Sequence, residues 1–372
     1  MVSNRISIIA TLSLCLLTTV SRAEDVPSVK VIKQKQTESK PKEVEPKEVS
    51  VIETTAEAPA EIFVDQQSPV IQSGHNHYPT ECEQGHCQHG NTPRYQPLFT
   101  NENRPMFMSD HSFDGFIQPV TNFVGAIDPR SRTRVRGVFA NQMIPDSSIL
   151  GDGDLQLYAM QASIAINERL SIIAEKDGYI TMQTQGAGNR RGWADISAGL
   201  KYVLVRDVEN QRLLSGGIMY DLPTGSDDVF QGNNDGIWTM FLSGGQEFAN
   251  GRAHVLGTAG WRLPNNKSKD TESLYYSLHL DYEVFDGWYA LWEFNGIIYT
   301  DSGSAIASPQ EGGDLINLGA NNVDGNHVAT TAFGATRVFN RNLSASVAYE
   351  VPVTDRKDLF DNRVTATVTF TY

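Results

Sequence analysis

The chain has 372 residues, of which 30 are Lys or Arg and 44 are Asp or Glu, a formal net charge of −14 at neutral pH. So acidic a protein offers no electrostatic case for nucleic acid as a partner. No segment beyond the N-terminal region holds about 18 uninterrupted apolar residues, which excludes a transmembrane helix; membrane-crossing β-strands stay open, because they are only half apolar and leave composition looking soluble.

Residues 1–23 read as a cleavable secretory signal, with Arg5 ahead of an apolar run from Ile6 to Val20 and small residues around Ser21-Arg22-Ala23. Cys15 follows Leu14 within that run, not the small residue a lipid-attachment site wants. Residues 24–73 are rich in Lys, Glu, Pro and Thr, with Lys40-Pro41-Lys42-Glu43 nearly repeated as Glu45-Pro46-Lys47-Glu48. Such a stretch buries too little apolar surface to fold, and a disordered periplasmic spacer is expected.

Residues 74–131 read as an irregular periplasmic segment. It opens with His75, His77, Cys82, His86, Cys87 and His89 close together. Their spacing fits no standard finger, so no metal is assigned; zinc or copper is the alternative to a Cys82–Cys87 disulfide, which an oxidising exported compartment favours. The remainder, with Phe113-Asp114-Gly115-Phe116-Ile117, is too apolar for a linker and too irregular for strands. It is expected to pack against or inside the periplasmic end of a β-barrel built from residue 132 onward.

From 132, period-two segments recur at 132–143, 154–166, 170–181, 193–206, 212–222, 235–249, 252–263, 273–285, 287–299, 325–339, 342–352 and 361–372. They make an all-β, antiparallel transmembrane β-barrel of about twelve strands the expected fold. Tight joints such as Asn250-Gly251 and Asp286-Gly287, residue pairs that tolerate positive φ, alternate with longer joints at 144–153, 182–192, 223–234, 264–272, 300–324 and 353–360. Short periplasmic turns and long outer loops alternate in this way in outer-membrane barrels. The final run, Val364 to Tyr372, alternates apolar residues with threonine and should close the cylinder against 132–143, while also addressing the barrel-assembly machinery.

Parity assigns the faces. Leu274, Tyr276, Leu278, Leu280 and Tyr282 face lipid, with Trp238, Trp261, Trp288 and Tyr372 near strand ends as interface aromatics. The lumen then receives Arg134, Arg136, Glu175, Asp195, Lys201, Asp221, Glu247, Arg252, His254, Arg262, His279, Asp281, Glu283, Glu293, Arg337 and Glu350. These charges either line a narrow aqueous path or pair across it. Lys176 is discordant, sharing parity with outward-reading Ile172 and Ile180; a bulge near Gly178, or a position near the outer interface, would reconcile it.

No phosphate loop, zinc-hydrolase helix or dinucleotide fingerprint is present. A lipid hydrolase would need His and Ser on the lipid side, whereas His254 and His279 have inward parity. Neither catalysis nor a cofactor is expected.

Tyr220-Asp221-Leu222-Pro223-Thr224-Gly225-Ser226-Asp227, a strand entering an acidic loop, resembles the phenol-degradation meta-pathway family of outer-membrane proteins. The resemblance covers about 132–372 in pattern and this motif in letters. It implies a barrel admitting small, often hydrophobic, compounds; the spacer and Cys/His segment are extra to that pattern. The expected function is a passive pore or facilitated-uptake channel for small solutes in the bacterial outer membrane. A closed structural or adhesive surface barrel is the alternative.

Overall fold

The computed structural model describes residues 105–372; the signal, the spacer and the Cys/His cluster fall outside the described residues. Alternation of the kind seen in Val364–Tyr372 satisfies two environments at once, so each such run becomes a strand with one lipid-like and one polar face. In chain order the strands are β1 (Arg134–Ile144), β2 (Gly153–Ala165), β3 (Leu170–Lys176), β4 (Tyr179–Thr184), β5 (Gly188–Trp193), β6 (Ile196–Asp207), β7 (Arg212–Leu222), β8 (Ile237–Phe248), β9 (Ala253–Pro264), β10 (Glu272–Phe285), β11 (Trp288–Asp301), β12 (His327–Asn340), β13 (Leu343–Pro352) and β14 (Asn362–Thr371). β3 with β4, and β5 with β6, are halves of two interrupted barrel strands, since β2 pairs with both β3 and β4. The result is a closed 12-strand antiparallel barrel.

The seam falls where the sequence placed it. β1 pairs with β14 from Arg134 opposite Thr371 to Met143 opposite Asn362, so no sheet edge is left exposed. The short turns use the backbone freedom read from sequence: Asn250 has φ 56° and Gly251 φ 85°.

The outer surface is apolar along the strand middles, with Leu200, Leu242, Phe333 and Val347 exposed. Exposed aromatics mark both ends: Trp238 and Trp261 toward the long loops, Tyr282, Phe285, Trp288 and Phe370 toward the short turns. Leu242, midway along β8, is 55% exposed. Leu242→Arg is expected to cost about 2–4 kcal/mol, the price of a midplane cation on a lipid face. The urea midpoint in lipid vesicles should fall accordingly, and an unchanged midpoint would place this face in water.

The interruption between β3 and β4 corrects two readings. A bulge between Ala174 and Lys176 shifts register against β6, and Asp177 Oδ1 accepts the Met160 N–H at 3.0 Å. Gly178 sits at φ +119°, where an added Cβ would meet the Tyr158 carbonyl at 2.6 Å, so only glycine passes the strand through this point. The extra residue inverts parity: Ile172 faces outward, but Ile180 is 1% exposed on the inner side, and Lys176 points inward as well. The joint read as a loop over 182–192 is instead strand-rich, because β4 and β5 pair from Tyr179 opposite Trp193 to Thr184 opposite Gly188.

Candidate functional site: the filled lumen

Residues 105–133 enter the barrel from the short-turn end, turn about half-way up, and return to start β1. Their backbone belongs to no sheet, so its N–H and C=O groups need partners from the wall or from the segment itself. At the entrance the Asp110 N–H donates to the Ser131 carbonyl at 2.8 Å, and the Tyr372 N–H donates to the Thr133 carbonyl at 2.9 Å. Arg206 grips Asp110 through Nε at 2.6 Å and Nη2 at 3.0 Å. A single 3-10 turn, His111–Phe113, comes next, and Phe113 and Phe116 pack on Val203, Leu213 and Leu256.

Higher up, Glu293 holds the ascending limb. Its carboxylate accepts the Val120 N–H at 2.7 Å, the Thr121 N–H at 2.6 Å and the Thr121 hydroxyl. The segment turns at Asn122, whose carbonyl accepts the N–H groups of Gly125 at 2.9 Å and Ala126 at 2.7 Å. On the descending limb Ile127 packs with Ile173, Met219 and Phe241. Ser243 and Ser215 donate to the carbonyls of Ile127 and Pro129. Lys201 Nζ donates to the carbonyls of Asp128 and Arg130, the latter at 2.7 Å. Arg130 folds back on Asp128 at 2.9 Å.

Most of the residues assigned to the lumen from parity are buried on the inner face: Arg134, Arg136, Glu175, Asp195, Lys201, Asp221, His254, Arg262, His279, Asp281, Glu293 and Glu350. Arg134 pairs with Glu175 at 2.7 Å. Lys176 and Arg262 converge on Asp221 at 3.3 and 3.6 Å. An alternating acid–imidazole chain runs down one wall. Glu293 to His279 is 2.7 Å, His279 to Asp281 is 3.1 Å, Asp281 to His254 is 2.7 Å, and His254 to Glu247 at the rim is 4.0 Å. Both histidines are thus engaged by carboxylates inside the barrel and do not face lipid. Glu247 and Glu283 are half-buried near the short turns, where Glu283 accepts the Gly287 N–H at 3.0 Å.

Two of the parity assignments are wrong. Arg252 is exposed at the start of β9; its guanidinium lies 5.1 Å from the outward Tyr282 ring and donates to the Glu283 carbonyl. Arg337 shares the outward face with Phe333, lies 5.5 Å from the Trp288 ring and donates to the Asp286 carbonyl. Both reach along aromatic surface to the short-turn interface, as long cationic side chains near a membrane boundary do. Arg252 has the inward parity of His254 and leaves that face at the rim, whereas Arg337 has the outward parity of the exposed Phe333.

Sequence reading missed Arg363, a buried cation of the inner face that bonds two carboxylates. It bonds Glu350 through Nε at 3.0 Å and Nη2 at 2.8 Å, and Asp314 through Nη1 at 2.8 Å. Its strand alternates threonine inward, and the arginine keeps that parity, so the signal was present. Also missed is an apolar cluster inside the long-loop half, where Phe123, Val138, Ala140, Leu155, Leu157, Ile180, Val229, Leu315 and Leu318 pack together. Loop residues 302–326 supply its cap, with Glu311 accepting the N–H groups of Leu318 at 2.8 Å and Ala320 at 2.7 Å. Small cavities of about 40 and 20 Å³ remain between the internal segment, this loop and the wall, and one of about 60 Å³ lies between the internal segment and the wall near the short turns.

The loop face carries a pH-sensitive group. Asp270, 2% exposed beside the 302–326 loop, is pushed by burial from 3.8 up to about 7, with Glu311 adding to the rise and Arg262 opposing it. A carboxyl with a raised folded pKa binds its proton more tightly folded than unfolded. Its contribution is therefore complete below the unfolded value and is lost as pH climbs from about 4 to about 7. Asp270→Asn is expected to remove that loss: protease resistance of the long loops should match the parent at pH 4 and exceed it at pH 8. Equal resistance at both pH values would contradict the assignment.

No family model matches the sequence, and no curated protein does. The fold is similar to several solved structures. An outer membrane channel from Pseudomonas putida F1 aligns with TM-score 0.49 and 12% identity over 69% of this chain and 100% of that one. The NanC porin aligns with TM-score 0.41 and 10% identity over 64% of this chain and 100% of that one, and the KdgM porin with 0.38 and 10% over 64% and 99%. Likeness at this level does not extend to solute or mechanism.

Proposed function

We propose that the chain is an outer-membrane β-barrel channel for small solutes, shut at rest by its own residues 109–131. The observation that carries this reading is the chemistry of the internal segment's attachment. Glu293, Lys201, Arg136, Ser215 and Ser243 hold it by polar contacts to its backbone. Water can take over such contacts when the segment moves, so the cost of its release falls on the apolar side chains Phe113, Phe116, Val120, Phe123 and Ile127 rather than on its backbone. The lipid-like band between two aromatic girdles supports a membrane setting, with the short turns on the periplasmic side. Solute class is open: the motif at Tyr220–Asp227 suggests small hydrophobic compounds, whereas the polar inner wall suits hydrophilic ones.

Swelling of proteoliposomes in isotonic small solutes tests the proposal. The full chain should admit solutes slowly, and a variant lacking residues 109–131 quickly. Equal impermeability of both, with heat-modifiable migration showing each folded, would sink it. The second reading, a closed barrel presenting its loops, is favoured by the apolar cluster capped by Leu315 and Leu318, which is packed like an interior.

A further inference from the structure

Four arginines occupy alternate positions where the internal segment becomes β1: Arg130, Arg132, Arg134 and Arg136, all buried. Their carboxylate partners are fewer. Arg130 has Asp128 at 2.9 Å and Arg134 has Glu175 at 2.7 Å. Arg132 has only Asp114 at 3.9 Å, and Asp114 is also bonded by Arg341 at 2.8 Å. Arg136 is 1% exposed and reaches no carboxylate among the described residues; Nη2 donates to the Pro119 carbonyl at 2.8 Å and Nη1 to Gln161 at 3.4 Å. The Nε atoms of both Arg132 and Arg136 are buried without a hydrogen-bond acceptor. Buried cationic charge left in surplus is costly, and the usual remedy is an anion.

Space for one lies beside them. Arg130, Arg132 and Arg136 line the cavity of about 60 Å³ near the short-turn end together with Ser346, Thr367 and Thr369. That volume is several times the roughly 10–15 Å³ a single water needs. The register builds the site: Thr369 is directly opposite Arg136 across the barrel seam, and Ser346 is opposite Thr367 on the next strand. Guanidinium groups beside a hydroxyl ladder are the donor set for an oxyanion: charge-assisted N–H bonds from the one and O–H donors from the other. Asp114, also at this cavity, is the one carboxylate of its lining; paired with Arg341, it sets a negative edge that disfavours bulky polyanions.

We propose that this cavity is a binding site for one small oxyanion, a carboxylate or inorganic phosphate, held by Arg132 and Arg136 and by the hydroxyls of Thr367 and Thr369. The site stands whether or not the barrel conducts, because its charge surplus and cavity exist in the closed state. Isothermal titration of the full chain, refolded in neutral detergent at low ionic strength, tests it with sodium propionate and, separately, inorganic phosphate as probes. Saturable binding of at least one probe near one per chain is expected, weakened about tenfold or more in both Arg132→Gln and Thr369→Val. The second variant conserves volume and removes only a hydroxyl, so it guards against a folding defect in the first. Absence of saturable heat with both probes, or binding that neither variant weakens, would overturn the site.

Discussion

Replacing Glu293 with alanine is expected to free the internal segment. The carboxylate is the acceptor for two backbone N–H groups and the hydroxyl at Val120 and Thr121, and it faces His279 at 2.7 Å. Its removal leaves donors buried without acceptors, about 1–3 kcal/mol each, and takes the counter-charge from a buried imidazole. A loss of about 3–5 kcal/mol in attachment is the result. Trypsin should then cut after Arg130 or Arg132, which are buried in the parent, while the barrel keeps its heat-modifiable migration. Glu293→Gln, which retains one acceptor oxygen, should fall between parent and alanine variant. Parent-like resistance in Glu293→Ala would mean that the segment is held by its apolar side chains instead.

Arg363→Leu carries the other large effect, and it falls on the barrel itself. The substitution strands Glu350, 1% exposed, and removes the bond that pins Asp314 of the 302–326 loop. Breaking one side of a buried pair costs about 3–5 kcal/mol because the remaining charge loses its cation and keeps only the neutral donors Asn295 and Thr330. The temperature at which the folded gel band disappears should drop sharply. Adding Glu350→Leu removes the stranded charge, and most of the loss should return, since a buried ion pair replaced by apolar side chains is often neutral. A double variant no better than the single would show that Asp314 and the loop matter more than the wall pair.

These effects explain what the sequence could and could not carry. Strand number, seam and turn positions were legible because each obeys a local rule: alternation for the strands, Asn250-Gly251 for a tight turn, and a closing strand that must have a partner. The bulge at Ala174–Lys176 was visible only as a discordant lysine, and without its position the parity of Ile180 could not be set. The apolar inner cluster was hidden for a related reason. In β1 the inward Val138 and Ala140 flank the outward Phe139, so apolar residues occupy both faces and alternation loses its information. The path of residues 105–133 had no periodicity to read at all. Its composition pointed to burial, but its course depends on acceptors and donors such as Glu293 and Lys201 that are distant in sequence. Arg252 had inward parity and failed at the rim, where a long side chain can leave its own face, whereas Arg337 had the outward parity of Phe333 and was assigned to the wrong face.

Residues 109–131, on the function proposed above, hold this barrel shut and can yield. Single-channel recording in planar lipid bilayers, comparing the full chain with Glu293→Ala at equal insertion, tests it most directly. A mostly silent full chain with brief openings is expected, and a variant that stays open far longer at the same unit conductance. A full chain that conducts steadily, or a correctly folded variant as silent as its parent, would contradict it.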